Sequence, residues 1–220
     1  MFYKQGIFRS LQKYKKACDR KDVLDMNMKI FTLINGLENK NALLDEVMLA
    51  FSKDMIYIFA GIIVLVFLVG ILKKDKETRW VAVNIVVFTS INLVLAYFIG
   101  FLYYTDRPFV NNKVNLLYPH VKDASFPSDH ATATMSIALG INKFNKVIGV
   151  VLGFLSIIIG FSRIYAGHHS PFDIVGSYVI VFITSHIYHT KLSCKINKAY
   201  DKIENMIAAK LGFTWLYKCE

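Results

Sequence analysis

Three short stretches hold the side chains best suited to gripping and attacking an anion. "DRPF" (Asp106 to Phe109) offers Arg107 before a proline, and "FPSDH" (Phe126 to His130) sets Ser128, Asp129 and His130 side by side. "SRIYAGHHSPFD" carries Ser162, Arg163, His168, His169 and Asp173 within twelve positions. Free N–H groups at a helix start attract anions, and a hydroxyl and an imidazole beside them can bind or protonate a phosphate. A carboxylate four residues after His169 could hold that ring in one tautomer, which is what a nucleophilic or general-base histidine needs. Ordinary readings compete at each stretch. Arg107 could be an interfacial arginine at a proline-ended helix. Ser128 or Asp129 could cap a helix, and Asp173 could complete a capping box with Ser170. The caps do not account for His130, since a positive charge in a first helical turn is disfavoured by the helix dipole.

The elements that must position these groups are membrane helices. The chain has 220 residues, is 55% hydrophobic, and its apolar residues come in blocks. Met55–Leu72 has no charge, and Trp80–Tyr104 has none either. Val147–Ala166 and Pro171–Tyr188 are two further stretches of about the 20 residues that a bilayer requires. Ala131–Ile141 is shorter, and becomes a span only if Asp129 and His130 lie at the interface. The expectation is an all-α polytopic bundle of about five transmembrane helices, with an amphipathic interfacial helix around "KIFTLINGL". A crossing by Met26–Phe51 is disfavoured by Glu38, Lys40, Asp45 and Glu46, at about 2.5–3.5 kcal/mol for each charge at mid-bilayer. Residues 1–22 lack an uninterrupted apolar run, so no cleavable signal peptide is expected.

The net charge of +10 follows the membrane rather than nucleic acid. Lys73, Lys74, Lys76, Arg79, Lys143 and Lys146 fall in two loops, and further lysines follow Lys191. Five alternating helices place all of these on one side, which the positive-inside rule makes cytoplasmic. The three stretches above then converge on the other side. The basic arm of residues 1–26 conflicts with this pattern, and its side stays open. Cys18, Cys194 and Cys219 have no metal-ligand spacing.

Arg107-Pro108, Pro127-Ser128-Asp129-His130, and Ser162-Arg163 with His169 and Asp173 resemble, in order and spacing, the signature blocks of the type-2 phosphatidic acid phosphatase superfamily. The aspartate between Ser128 and His130, with "DASFPSDH" and "GFSRIYAGHH", resembles the bacitracin-resistance branch of undecaprenyl-diphosphate phosphatases. The resemblance implies a metal-free, cofactor-free hydrolysis of a polyprenyl diphosphate lipid through a phosphohistidine. His169 would be the nucleophile, Asp173 its orienting partner and His130 the acid and base. Arg107, Arg163, Ser128, Ser162 and the amides around Asp129 would hold the phosphate. One position departs from the family. Its first block usually has a lysine seven residues before the arginine, where this chain has Gly100, and Lys113 or Lys122 are the candidates to replace it. The expected organisation is a basic arm (1–26), a membrane phosphatase domain (27–190) and a basic cytoplasmic tail (191–220). The site would face outward from a bacterial cell membrane. A phosphatidate or phosphatidylglycerophosphate phosphatase, or a small permease with Asn84, Asn92 and Thr132 along a path, are the alternatives.

Overall fold

The computed structural model describes residues 22–211, and every regular element among them is a helix. A helix over residues 22–35 (α1) and Ala42–Lys53 (α2) precede two long apolar helices, Met55–Leu72 (α3) and Lys76–Leu102 (α4). A single turn, Pro108–Asn111 (α5), leads by a long loop to Asp129–Phe144 (α6) and Lys146–Tyr165 (α7). Pro171–Lys191 (α8) and Ser193–Leu211 (α9) complete the described residues. Local chemistry sets the starts. Asp75 and Asn145 accept amide hydrogens at the beginnings of α4 and α7. Ser170 and Asp173 form a capping box at α8, with Pro171 in its first turn.

Helices α3, α4, α7 and α8 are long and apolar enough to cross a membrane. Their outer faces expose Val64, Leu65, Phe154, Ile157, Val179 and Phe182, an apolar surface suited to lipid. This is a multi-pass membrane protein. The fifth helix, α6, has 16 residues and so spans roughly 24 Å. It sits in the middle of the bundle, against α3, α4, α7 and α8, with Ala131 through Ala138 all buried. Its side chains meet protein rather than lipid, so it needs less hydrophobicity than its neighbours, and its sequence reads as marginal for that reason. Gly140 lets α4 approach closely: a Cβ there would lie 2.5 Å from Ile85 Cγ1. Phe59, Ile85, Ile137, Ile141, Leu152 and Ile159 fill the centre. Asn92 donates to Ser136 Oγ at 3.1 Å and accepts from Thr184 at 2.6 Å, tying α4, α6 and α8 together.

The helix ends sort into two faces. On one lie α1, α2 and the loops that precede α6 and α8. Phe31 of α1 packs with Ala131, Ile164 and Ile174. Asn35 donates to the carbonyls of Asn115 (2.7 Å) and Tyr165 (2.9 Å). The expected interfacial helix therefore docks over helix ends, and residues 22–53 share a face with the three sequence stretches. Residues 1–21 of the basic arm lie outside the described residues. The other face carries the lysine-rich turns and α9. Arg79, expected as a loop charge that orients the chain, is instead 1% exposed. Its Nε and Nη2 meet Glu204 of α9 at 2.7 and 3.1 Å, and Nη1 donates to Gly70 O at 3.0 Å. Trp80 Nε1 donates to Asp201 at 2.7 Å beside it. Helix α9 is thus an amphipathic helix clamped to the start of α4.

Candidate active site

Gly167 sits at φ +81°, a conformation that favours glycine, and it turns the chain after α7. That turn brings His168 and His169 back over the helix end, where their amides reach Arg163 O at 3.1 and 3.4 Å. His169 is 2% exposed. Its Nδ1 lies 2.9 Å from the carbonyl of Ser125. A carbonyl only accepts, so Nδ1 carries the hydrogen and Nε2 presents its lone pair. Nε2 lies 3.0 Å from Arg107 Nη1, which also donates to His168 O at 3.1 Å. Burial, and then the charges of Arg163, Arg107 and His130, hold the His169 ring well below the usual imidazole range. The ring is therefore neutral, as a nucleophile must be. The start of α5, the first turn of α6 and the end of α7 supply those three groups, so chain positions far apart meet here.

The expected contact between His169 and Asp173 is relayed. Asp173 Oδ2 is 4.0 Å from His169 Nδ1, beyond hydrogen-bond reach. It accepts instead from Ser125 Oγ at 2.7 Å and from the Ser170 amide at 2.7 Å. The capping box turns the carboxylate back toward Ser170, and Ser125 bridges the gap: hydroxyl to Asp173, carbonyl to His169. The tautomer is thus set by a backbone group, which has no signature in sequence.

Arg163 is 1% exposed and anchored from α2 and the 115–122 loop. Its Nη1 donates to Tyr118 Oη at 2.5 Å and to Ser52 O at 3.2 Å, and Nη2 lies 3.1 Å from His120 Nε2. The guanidinium only donates, so His120 accepts, and its Nδ1 hydrogen goes to Val121 O at 3.1 Å. Desolvation, and then the charges of Arg107 and Arg163, lower the His120 pKa. His120, Tyr118 and Ser52 carry no sequence signal for this role beyond the polarity of the first two in a loop between spans and of Ser52 in α2. His168 stands behind the site: its Nε2 lies 2.9 Å from Tyr118 O, and the Tyr118 ring meets its own edge-on at 4.3 Å. Burial and Arg163 push His168 down to about 3.

Ser128 precedes α6, fully buried, with its amide donating to Ser177 Oγ at 2.8 Å. Its hydroxyl makes no side-chain cap, and neither Ser128 Oγ nor Arg163 Nε has a hydrogen-bond partner. Two buried polar atoms left free at one site suit a bound anion. His130 is half-buried and Asp129 exposed in the first turn of α6. Ser162 is not brought in: its hydroxyl donates to Ile159 O at 2.7 Å within α7, fully buried. Among the described residues, no three His, Cys, Asp or Glu side chains gather as metal ligands.

A groove of about 510 Å³ runs from this site along α4, lined by Leu93, Ala96, Tyr97, Gly100, Phe101 and Asp129. Gly100 lets α4 touch the 124–126 loop, since a Cβ there would lie 3.2 Å from Ala124 Cβ and 3.2 Å from Phe126 O. Any side chain at this position presses on that loop by a few tenths of an ångström. Of the two candidates to replace the family lysine, Lys113 lines a hollow beside α1 with Met28 and Thr32, and Lys122 is exposed.

Residues 54–193, which include all three blocks, match the PAP2 superfamily. The chain belongs to the PAP2 superfamily. Relatives within and around it agree. "Undecaprenyl-diphosphatase BcrC" of Bacillus subtilis is 36% identical over 74% of this chain and 82% of its own length. "Bacitracin transport permease protein BcrC" of Bacillus licheniformis is 30% identical over 83% of this chain and 91% of its own. Among solved structures, LpxE of Aquifex aeolicus superposes with a TM-score of 0.61 at 27% identity, covering 75% of this chain and 95% of that one. The PAP2 match ends at residue 193, so α9 lies beyond it from its second residue on.

Proposed function

We propose that this PAP2 protein hydrolyses undecaprenyl diphosphate to the monophosphate and inorganic phosphate, on the extracytoplasmic face of a bacterial cell membrane. The observation that carries the reading is His169: a buried, neutral imidazole with Nδ1 fixed by a carbonyl and Nε2 facing the Arg107 guanidinium. Nε2 attacks the terminal phosphorus, and the bond from phosphorus to the bridging oxygen breaks. His130 gives that oxygen a proton, and the lipid monophosphate leaves. His130 then takes a proton from water as the water splits the phosphohistidine. Arg107 and Arg163 neutralise the phosphoryl oxygens, with Ser128 Oγ and Arg163 Nε as further donors; phosphoryl transfer depends mostly on such positioning and charge. Asp173 acts through Ser125 and by its negative charge at 4.0 Å, which stabilises the positive ring of the intermediate.

The lysines gathered on the opposite face support the outward placement, and the apolar groove along α4 suits a prenyl chain. The bacitracin-resistance relatives support the diphosphate substrate over phosphatidate. A permease reading has one relative's name in its favour. Against it, Asn84 bonds Trp80 O, Asn197 and Tyr188, and Asn92 bonds Ser136 and Thr184, so these polar groups hold helices together rather than line a path. The test is phosphate release by purified protein in EDTA from undecaprenyl diphosphate, farnesyl diphosphate and phosphatidate. Release that needs Mg²⁺, or that favours phosphatidate, refutes the reading.

A further inference from the structure

Arg107 is almost wholly enclosed, with a side chain 5% exposed, yet its Nε donates at 2.5 Å to Asp123 Oδ1, whose side chain is 53% exposed. A half-exposed carboxylate thus covers the guanidinium that faces the nucleophile. Guanidinium and phosphate pair best through two parallel hydrogen bonds, and Nε supplies one end of such a pair. Asp123 already occupies that end. It also lies 4.0 Å from His120 Nδ1 and lines the mouth of the α4 groove with Asp129.

We propose that Asp123 is a specificity-determining placeholder: its carboxylate occupies an oxygen position of the substrate's phosphate and must be displaced for substrate to bind. This rests on Arg107 being a phosphate ligand. The device has a use at a membrane surface. Phosphodiester headgroups, each with one negative charge, surround the site in great excess. A terminal phosphate carries nearly two. A resident carboxylate keeps Arg107 from being filled by diesters and yields to the more highly charged group. A merely structural Asp123 would hold Arg107 in place, so its loss would weaken phosphate binding. The placeholder predicts the opposite sign.

The experiment titrates inorganic phosphate, and phosphatidylglycerol in mixed micelles, against the full chain in detergent, for wild type, Asp123→Asn and Asp123→Glu. Binding is read as protection against thermal unfolding, which needs no turnover. A half-exposed ion pair is worth up to ~1 kcal/mol, so the phosphate concentration giving half protection should fall about 5-fold in Asp123→Asn. It should stay near wild type in Asp123→Glu. Phosphatidylglycerol should protect Asp123→Asn at concentrations that leave wild type unaffected. Phosphate binding to Asp123→Asn no tighter than to wild type overturns the proposal, as does equal protection of the two by phosphatidylglycerol. If wild type hydrolyses no lipid phosphate while the Asp123→Asn gain appears, the proposed activity fails and the competition stands.

Discussion

Gly100→Ala tests how the apolar scaffold holds the nucleophile. A Cβ at position 100 comes within 3.2 Å of Ala124 Cβ and Phe126 O, a few tenths of an ångström inside ordinary contact. Both of the atoms it meets belong to the 124–126 loop, so the strain falls on that loop. That loop includes Ser125, whose carbonyl fixes His169 Nδ1 and whose hydroxyl meets Asp173. Misplacing a catalytic group by 1 Å costs ~10²-fold, so a shift of about a third of that should lower kcat roughly 3- to 10-fold. Stability moves little by comparison. Alanine gains about 0.8–1 kcal/mol over glycine in a helix, while overpacking costs about 1–3 kcal/mol. The assay is initial phosphate release in detergent micelles, with thermal melts on the same preparation. Wild-type kcat together with a raised melting temperature would show that the loop is not pinned by α4, and would refute this account of the departure from the family lysine.

Three further outcomes follow from the same geometry. Glu204→Ala leaves the buried Arg79 unpaired and should cost about 3–5 kcal/mol in thermal stability, with the Arg79→Met, Glu204→Leu double variant much closer to wild type; melts of all three decide it. Arg163→Lys loses the fork that spans Tyr118, Ser52 and His120. It should lower kcat by about 10²-fold or more with the fold retained, and near-wild-type kcat would remove Arg163 from the site. His168 sits at about 3 in the folded chain, and His169 also lies well below its unfolded value near 6.5. The unfolded chain therefore binds more protons between those values, and stability falls as pH drops below about 6.5. The loss should reach up to about 2 kcal/mol per histidine at pH 5, and His168→Gln should remove one share of it; stability flat from pH 7 to 5 contradicts the burial of these rings.

Much of this was legible in the chain because the deciding features are local. The spans announce themselves by apolar length, and α8 starts where Ser170, Pro171 and Asp173 say it should. Arg107, Arg163, His130 and His169 are visible as polar and charged side chains at helix ends where hydropathy gives no reason for them. What stayed hidden depends on tertiary contact. The Ser125 carbonyl is a backbone atom. His120 and Tyr118 matter only because the loop folds back onto Arg163. The composition of α6 reflects a central position that no window of sequence reports. Arg79 resembled an ordinary orienting charge until Glu204, 125 residues later, covered it. Ser162 matches its block, but its hydroxyl turns into its own helix.

The central claim is that His169 Nε2 takes the phosphoryl group. The direct measurement is rapid quench of the His130→Ala variant with undecaprenyl diphosphate labelled in the terminal phosphate, followed by peptide mapping. The lipid monophosphate leaves readily as an anion, so His130→Ala should slow the water step more than the transfer to His169. An acid-labile, base-stable label should collect on the peptide containing His169, and His169→Ala should carry none. Label on another residue, or turnover by His169→Ala, would contradict it.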